Sequence, residues 1–351
     1  MRLALWLGLA AGGLAQAALP GPAGEPQRYM RTLGFGEGEI AALEKGKAVA
    51  RVVEERDDID ADVVGVVRIA AREDALVEAV RHIESFEGQA PVLQVGRFGD
   101  PASVADLAGL SFDPQDLEDL RRCRIGDCDL KVAGSTMQLA RRIDWKAPDA
   151  QARASRLLKE IIVQHVERYR SEGEAALAVY DDEDVPRSVA AEFAKILEAS
   201  PNLMRYNPDF LAYLRDFPKR KLPGVEDFLY WKKQKLRKPV VSVVHACIQR
   251  VVREGRTGWF IALKHIYDSH YFRANVEFLT LVPASSGAPG FYLIHAIRAR
   301  IDPPRHFRGA LLGKIKGAMR RAVLEGLERS KRQLEAAGPA GPARPQSPDS
   351  T

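Results

Sequence analysis

The segment from residue 240 to residue 301 limits the possible folds more than any other part of the sequence. It contains four long runs rich in β-branched and aromatic residues, at 240–252, 259–267, 270–282 and 291–301. This composition is typical of β-strands. The runs are joined by short connections, and short connections link antiparallel neighbours. The sequence therefore predicts an antiparallel meander of four strands.

A long amphipathic helix is predicted directly after the meander. Apolar side chains recur at helical spacing between residues 307 and 334, while most Lys and Arg side chains of this stretch lie off that line. The apolar positions are Phe307, Leu311, Ile315, Met319, Val323, Leu327 and Leu334. We therefore expect an α+β fold in which a curled antiparallel sheet grips a long C-terminal helix.

The part of the chain before the meander has mixed periodicity. Residues 61–70 predict a strand and residues 72–87 a helix, and two further short strands are expected at 92–98 and 128–132. Between residues 151 and 216 the apolar spacing is helical, which indicates a helical insert.

The chain thus divides into six parts. These are a signal peptide at 1–17, an N-terminal lead-in at 18–44, the first part of the α+β domain at 45–150, a helical insert at 151–238, the meander with the C-terminal helix at 239–336, and a disordered tail at 337–351.

This order of elements resembles the helix-grip fold of the START-like (SRPBCC) superfamily of lipid-binding and polyketide-cyclase-like proteins. The resemblance covers residues 45–135 and 239–336, and the helical stretch at 151–216 departs from it. The sequence contains no residue motif of that superfamily. The segments CRIGDCDLK, LYWKK and SHYFRA otherwise resemble segments of uncharacterised exported bacterial proteins.

The resemblance implies an elongated cavity between the sheet and the C-terminal helix. Strict alternation along the strands selects the side chains that would face this helix. The candidates for lining the cavity are His265, Tyr267, His270, Phe272, Ala274, Phe291, His295, Ile297, Leu311, Ile315 and Met319. A mostly apolar wall with a few polar points suits a hydrophobic small molecule or a lipid. A solid core without a cavity is the alternative.

The N-terminus has the pattern of a secretory signal peptide. Met1 and Arg2 are followed by an apolar run at 3–14 and by the small-residue cleavage site Ala15-Gln16-Ala17. The apolar run is too short to cross a bilayer. We therefore expect a periplasmic or secreted protein.

The three cysteines are too few for a disulfide scaffold, but two of them are close in sequence. Cys123 and Cys128 are expected to form a local disulfide in an oxidising compartment. Cys247 falls in a predicted strand and is expected to be a buried apolar residue.

Charge is unevenly distributed along the chain. Residues 216–336 carry an excess of Lys and Arg, whereas residues 18–215 carry an excess of Asp and Glu. The two parts could pair with each other, or the basic part could face a polyanion. Nucleic acid is not expected as a partner of an exported protein. An anionic membrane surface is the alternative partner, and it would face the basic flank of the C-terminal helix together with the basic segment 232–238.

The sequence contains no catalytic motif: it lacks a GxSxG nucleophile elbow, a phosphate-binding loop ending in GK[ST] and an HExxH pair. We therefore expect a binding protein without catalytic residues, metal or cofactor. Two alternatives are an envelope-associated structural or interaction protein with a basic surface, and an enzyme. The enzyme would use His245, His265, His270 and Tyr267 as acid–base groups or metal ligands.

Overall fold

A computed structural model describes residues 25–53, 57–88, 91–200, 206–253, 256–284, 290–302 and 308–336. The predicted signal peptide and C-terminal tail lie outside these ranges. The strands are β1 (Val49–Val52), β2 (Asp60–Ile69), β3 (Val92–Arg97), β4 (Val179–Tyr180), β5 (Arg187–Ser188), β6 (Val225–Lys235), β7 (Pro239–Arg253), β8 (Arg256–Asp268), β9 (Phe272–Pro283) and β10 (Phe291–Ile301).

The α-helices of the described residues flank these strands in sequence. They are α1 (Glu25–Thr32), α2 (Glu37–Glu44), α3 (Glu73–Arg81), α4 (Ile83–Glu87), α5 (Pro114–Arg122), α6 (Gly134–Ala140), α7 (Ala150–Glu172), α8 (Val189–Glu198), α9 (Pro208–Asp216) and α10 (Arg308–Ala336). Short 3-10 helices occupy Val104–Leu107 and Gly173–Ala176.

Eight strands form one antiparallel sheet in the order β1-β2-β10-β9-β8-β7-β6-β3. The predicted meander is confirmed, because β7, β8, β9 and β10 are sequential neighbours. The α+β class and the long C-terminal helix are confirmed as well. The two remaining short strands, β4 and β5, pair with each other away from this sheet.

Several helices begin where the sequence supplies a cap. Asp113 accepts a hydrogen bond from the backbone of Gln115, and Pro114 is the first residue of α5. Ser188 and Asn207 cap α8 and α9 in the same way. Such side chains replace the hydrogen-bond acceptors that the first turn of a helix lacks, and proline fits this turn because its missing N–H is not needed there.

One face of the sheet, which we call the α10 face, is covered by α10 together with α3 and α4. Val323 and Leu327 of α10 pack with Leu293 of the sheet in a single apolar cluster. The helix comes closest at Gly65 of β2, where an added Cβ atom would lie 2.5 Å from Val323 Cγ1. A side chain at position 65 would therefore push the helix away from the sheet.

The opposite face, which we call the α7 face, is covered by α1, α2 and the helices of the insert. Ile162, Val166 and Tyr169 of α7 pack with Val243 and Phe260 of the sheet. Helices thus cover both faces, which explains why the central strands are nearly continuous apolar runs rather than alternating ones.

Three local predictions are wrong. Residues 128–132 do not form a strand. The range 151–238, expected to be helical, also contains strand β6. The third error concerns which face some side chains occupy. The pairing register shifts at two places: between β7 and the end of β8, and between β10 and the start of β9. At each place, one residue of β8 or of β9 has no opposite residue in the neighbouring strand. Since one extra residue reverses the alternation, Tyr267 and Ala274 pack on the α7 face rather than the α10 face.

A candidate binding cavity under the C-terminal helix

A cavity of about 200 Å³ lies between the sheet and α10. Most of its wall is apolar and includes Leu76, Phe86, Leu263, Leu279, Leu293, Val323 and Leu327. Glu87 of α4 and Lys232, Glu277 and His295 of three strands form a polar end, and Arg329, Ser330 and Gln333 of α10 add further polar groups. The cavity therefore combines an apolar body with polar groups on its sheet side and on its helix side.

Glu277 lies at the centre of the polar end. Its Oε2 atom accepts a hydrogen bond from Nε2 of His295 at 2.8 Å. Its Oε1 atom lies 3.5 Å from Nε2 of His265 and 3.6 Å from Nζ of Lys232. These two longer distances are contacts between charges rather than good hydrogen bonds. Lys232 also donates a hydrogen bond to Glu87 at 2.7 Å.

The sheet register brings these side chains together. Glu277 of β9 is directly opposite Leu263 of β8 and Ile297 of β10. His265 and His295 are each two residues further along those neighbouring strands, so both are diagonal neighbours of Glu277 on the α10 face. Diagonal neighbours are within reach of long side chains.

The ionisation of the group follows from burial and from opposing charges. Burial alone would raise the pKa of Glu277, but Lys232 and the two imidazoles outweigh it and hold that pKa well below its usual range. Burial would lower the pKa of Lys232, but Glu87 and Glu277 are among the groups that raise it well above its usual value. Glu277 is therefore a carboxylate and Lys232 an ammonium group at neutral pH.

His265 is a buried histidine whose pKa is raised. Burial would lower its pKa, but Asp268, which accepts a hydrogen bond from Nδ1 at 2.9 Å, and the more distant Glu277 raise the pKa to about 9. His265 is therefore an imidazolium at neutral pH. We call Glu87, Lys232, His265, Asp268, Glu277 and His295 together the Glu277 cluster.

The side chains that sequence analysis selected for the cavity wall divide into several groups. His295 and Ile297 line the cavity. Phe272, Phe291, Ile315 and Met319 pack on the same face as core residues. Leu311 belongs to α10, but its side chain lies outside the described residues. The ligand-binding role of all these residues stays a prediction.

Three of the selected residues lie elsewhere. Tyr267 and Ala274 pack on the α7 face. His270 lies at the β8–β9 connection, where its ring contacts the carbonyl of Asp129 at 2.8 Å and the carboxylate of Asp116 at 3.1 Å.

The histidines proposed for an enzyme are not grouped as that alternative requires. His245 lies on the α7 face, 3.0 Å from the hydroxyl of Tyr169, and His270 is held by Asp116. Nε2 of His245 also lies 3.4 Å from Sγ of Cys247. Burial raises the pKa of this thiol well above its usual value, and a thiol that stays protonated is a poor nucleophile.

The basic segment 232–238 is an open charged surface only in part, because Lys235 and Arg237 are exposed and Lys232 and Lys233 are buried. Lys232 is buried in the Glu277 cluster, and Lys233 is buried with its ammonium group on the carbonyl of Ser111 at 2.8 Å. Lys238 lies 3.0 Å from Asp119. The expectation that this segment faces an anionic membrane is therefore wrong for Lys232 and Lys233.

Sequence analysis missed Glu277, Lys232 and Glu87. Strict alternation along 270–282 predicts that Phe278 faces α10 and that Glu277 faces away from it. The bulge near Ala274 reverses the two directions, so Glu277 faces α10. A usable signal was present, because Glu277 lies in a run that is apolar on both sides. In a strand covered on both faces, a charged residue must be buried whichever way it points.

The described residues show neither a group of metal ligands nor a membrane-spanning helix. In the described ranges, no three His, Cys, Asp or Glu side chains are grouped as metal ligands. None of the helices within those ranges has the length and apolar character needed to cross a membrane.

Comparison with known proteins assigns no family. No family model matches the chain, and no curated protein matches it. A solved structure that is similar is the crystal structure of the di-domain ARO/CYC StfQ from the steffimycin biosynthetic pathway. It has 14% sequence identity and a TM-score of 0.23, and the match covers 78% of this chain and 99% of that chain. A likeness this low identifies neither a family nor a function.

Proposed function

We propose that this protein binds a small, mostly apolar molecule in the cavity under α10, and that the Glu277 cluster recognises one polar group of that molecule. The observation that carries the proposal is the ionised Glu277 side chain, which lines a cavity whose other walls are mainly apolar. Replacing a buried ionic group by apolar residues is often neutral or stabilising, so stability alone does not account for it.

The volume of the cavity favours a small ligand. An engineered apolar cavity of ~150 Å³ holds one benzene molecule. By proportion, a cavity of about 200 Å³ accepts a molecule with on the order of ten non-hydrogen atoms. This volume favours a single-ring or short branched compound over a whole lipid.

Charge favours a ligand that donates hydrogen bonds or carries a positive charge. An ionised carboxylate only accepts hydrogen bonds, and Oε1 of Glu277 has longer contacts, of 3.6 Å to Lys232 and 3.5 Å to His265. An ammonium or hydroxyl group on the ligand therefore complements Glu277 better than an anion.

The test compares benzylamine with toluene, which has the same ring and no ammonium group, by calorimetric titration. We expect Glu277→Gln to weaken benzylamine binding at least tenfold, because hydrogen bonds to charged groups contribute about 1.5–3 kcal/mol. Toluene binding should not change, and this also shows that the variant keeps its cavity. Equal binding of benzylamine to both proteins would overturn the assignment of Glu277.

A second pair of variants tests the cavity itself. Gly326 of α10 lines the cavity and Gly313 of the same helix is exposed, and a Cβ atom added at either position meets nothing within 4 Å. Gly326→Leu should abolish binding of both compounds, and the matched control Gly313→Leu should leave it intact. Undiminished binding in Gly326→Leu would place the ligand elsewhere.

We also propose that the protein is exported to the periplasm or the medium. The N-terminal pattern supports this, as does the disulfide between Cys123 and Cys128. Disulfides persist mainly in oxidising compartments. Expression of the full chain in a bacterium should yield a periplasmic protein whose mass corresponds to a start at Ala18. Full-length protein retained in the cytoplasm would overturn the proposal, and Ala17→Glu should block processing as a control.

A further inference from the structure

A second and larger cavity lies on the α7 face of the sheet. It measures about 400 Å³, roughly twice the volume under α10. Leu158 and Ile161 of α7 form part of its wall, and Tyr180 and Tyr267 contribute their rings. The sheet separates this cavity from the Glu277 cluster, so a ligand that binds here does not depend on that cluster.

The lining of this cavity includes large apolar side chains that are open to solvent. Leu139 is 40% exposed and Val179 is 46% exposed, which is unusual for large apolar side chains, and both line the cavity. Exposed apolar groups beside a concavity are typical of a binding site for an apolar ligand.

Two polar side chains that line the cavity, His165 and Tyr267, can each form a further hydrogen bond. Nε2 of His165 lies 3.1 Å from the carbonyl oxygen of Ile266. A carbonyl can only accept, so Nε2 carries the proton and Nδ1 of the neutral ring is an acceptor. Burial lowers the pKa of His165, which keeps the ring neutral. The hydroxyl of Tyr267 forms no hydrogen bond with any of the described residues.

The cations around the cavity are paired with carboxylates. Lys131 is held by Asp182 and Asp302, and Arg168 pairs with Glu172 of the same helix. Asp181 accepts a hydrogen bond from the backbone of Gly134 at 2.6 Å, which leaves its negative charge in place. An anionic ligand is therefore disfavoured here.

We propose that this cavity is a second binding site, which takes a neutral apolar molecule carrying a hydroxyl group. The hydroxyl of the ligand bonds to Tyr267 and His165, and its apolar body lies against Leu158 and Ile161. By proportion with the ~150 Å³ cavity that holds benzene, a volume of about 400 Å³ accepts a ligand with on the order of fifteen non-hydrogen atoms.

The test uses three probes with the same fused ring: 2-naphthol, naphthalene and 2-naphthoate, titrated into the purified protein by fluorescence. We expect 2-naphthol to bind about fivefold more tightly than naphthalene, as one hydrogen bond of about 1 kcal/mol implies. We expect 2-naphthoate to bind more weakly than either. Tyr267→Phe removes only the hydroxyl and should abolish the preference for 2-naphthol over naphthalene.

Two further variants show which cavity is occupied. Ile161→Trp fills the space beside α7 and should abolish binding of 2-naphthol. Gly326→Leu fills the cavity under α10 and should leave that binding unchanged. Retained binding in Ile161→Trp, or an unaltered preference in Tyr267→Phe, would overturn the second site. Neither result would bear on the site at Glu277.

Discussion

Replacing His265 by Gln should reduce the pH dependence of the free energy of unfolding between pH 6 and pH 9. The folded protein raises the pKa of His265 from 6.5 to about 9, because Asp268 and Glu277 stabilise the imidazolium. A raised pKa stabilises the folded state fully below the unfolded value. This stabilisation is then lost as the pH rises through the folded value.

The size of the effect follows from the two pKa values. A difference of about 2.5 units is equivalent to about 3 kcal/mol. The His265 side chain is 3% exposed, so solvent screens this interaction little. The contribution should be about 3 kcal/mol at pH 6 and about 0.4 kcal/mol at pH 9, where half of the folded molecules have lost the proton.

The assay is urea denaturation of the wild-type protein and of His265→Gln at pH 6, 7.5 and 9. Other titrating groups affect both proteins, so the difference between the two free energies isolates His265. We expect this difference to shrink by about 3 kcal/mol from pH 6 to pH 9. A difference that stays constant within about 1 kcal/mol would refute the assignment of a buried imidazolium.

Three other experiments test the fold. Gly65→Ala should destabilise the protein by about 1–3 kcal/mol through overpacking against α10, whereas Gly38→Ala, whose Cβ meets nothing within 4 Å, should not; urea titration measures both. Arg300→Met should destabilise the protein by about 3–5 kcal/mol, because it removes the buried guanidinium from the buried carboxylate of Glu192, whose other cation, Lys195, is exposed. A loss below about 1 kcal/mol in thermal unfolding would contradict this. Cys247 should react with a thiol reagent only after unfolding, and rapid labelling of the native protein would show that it is accessible.

The strands of the meander and the C-terminal helix were predictable because each depends on a long, repeated pattern. Runs of nine to thirteen residues between short joins leave little choice other than antiparallel pairing. The apolar positions of α10 recur over several turns, so an error at one position does not change the result.

The face that each side chain occupies was predictable only up to the first irregularity in pairing. Phe291, Leu293 and Ile297 lie on the α10 face as expected. Tyr267 and Ala274 do not, because bulges near them reverse the alternation. No glycine or proline in the adjoining sequence signals these bulges. They arise from pairing between distant strands, which a local pattern does not contain.

The Glu277 cluster was not predictable from the sequence, for a related reason. Its members come from α4 and from four strands, and their proximity depends on strand order and register. The sequence suggested that several histidines shared a face. It could not indicate that His265 and His295 lie on either side of the same carboxylate.

The order of strands also bears on how this protein avoids aggregation. The sheet ends on β1 and β3, of four and six residues, whereas their neighbours β2 and β6 have ten and eleven. Arg320 of α10 donates a hydrogen bond to the Ala50 carbonyl of β1 at 2.6 Å, and the side chain of Gln94 in β3 bonds to Ser111. Short edge strands that are partly covered offer few free backbone groups to another chain. Edges of this kind disfavour the addition of a strand from a second molecule.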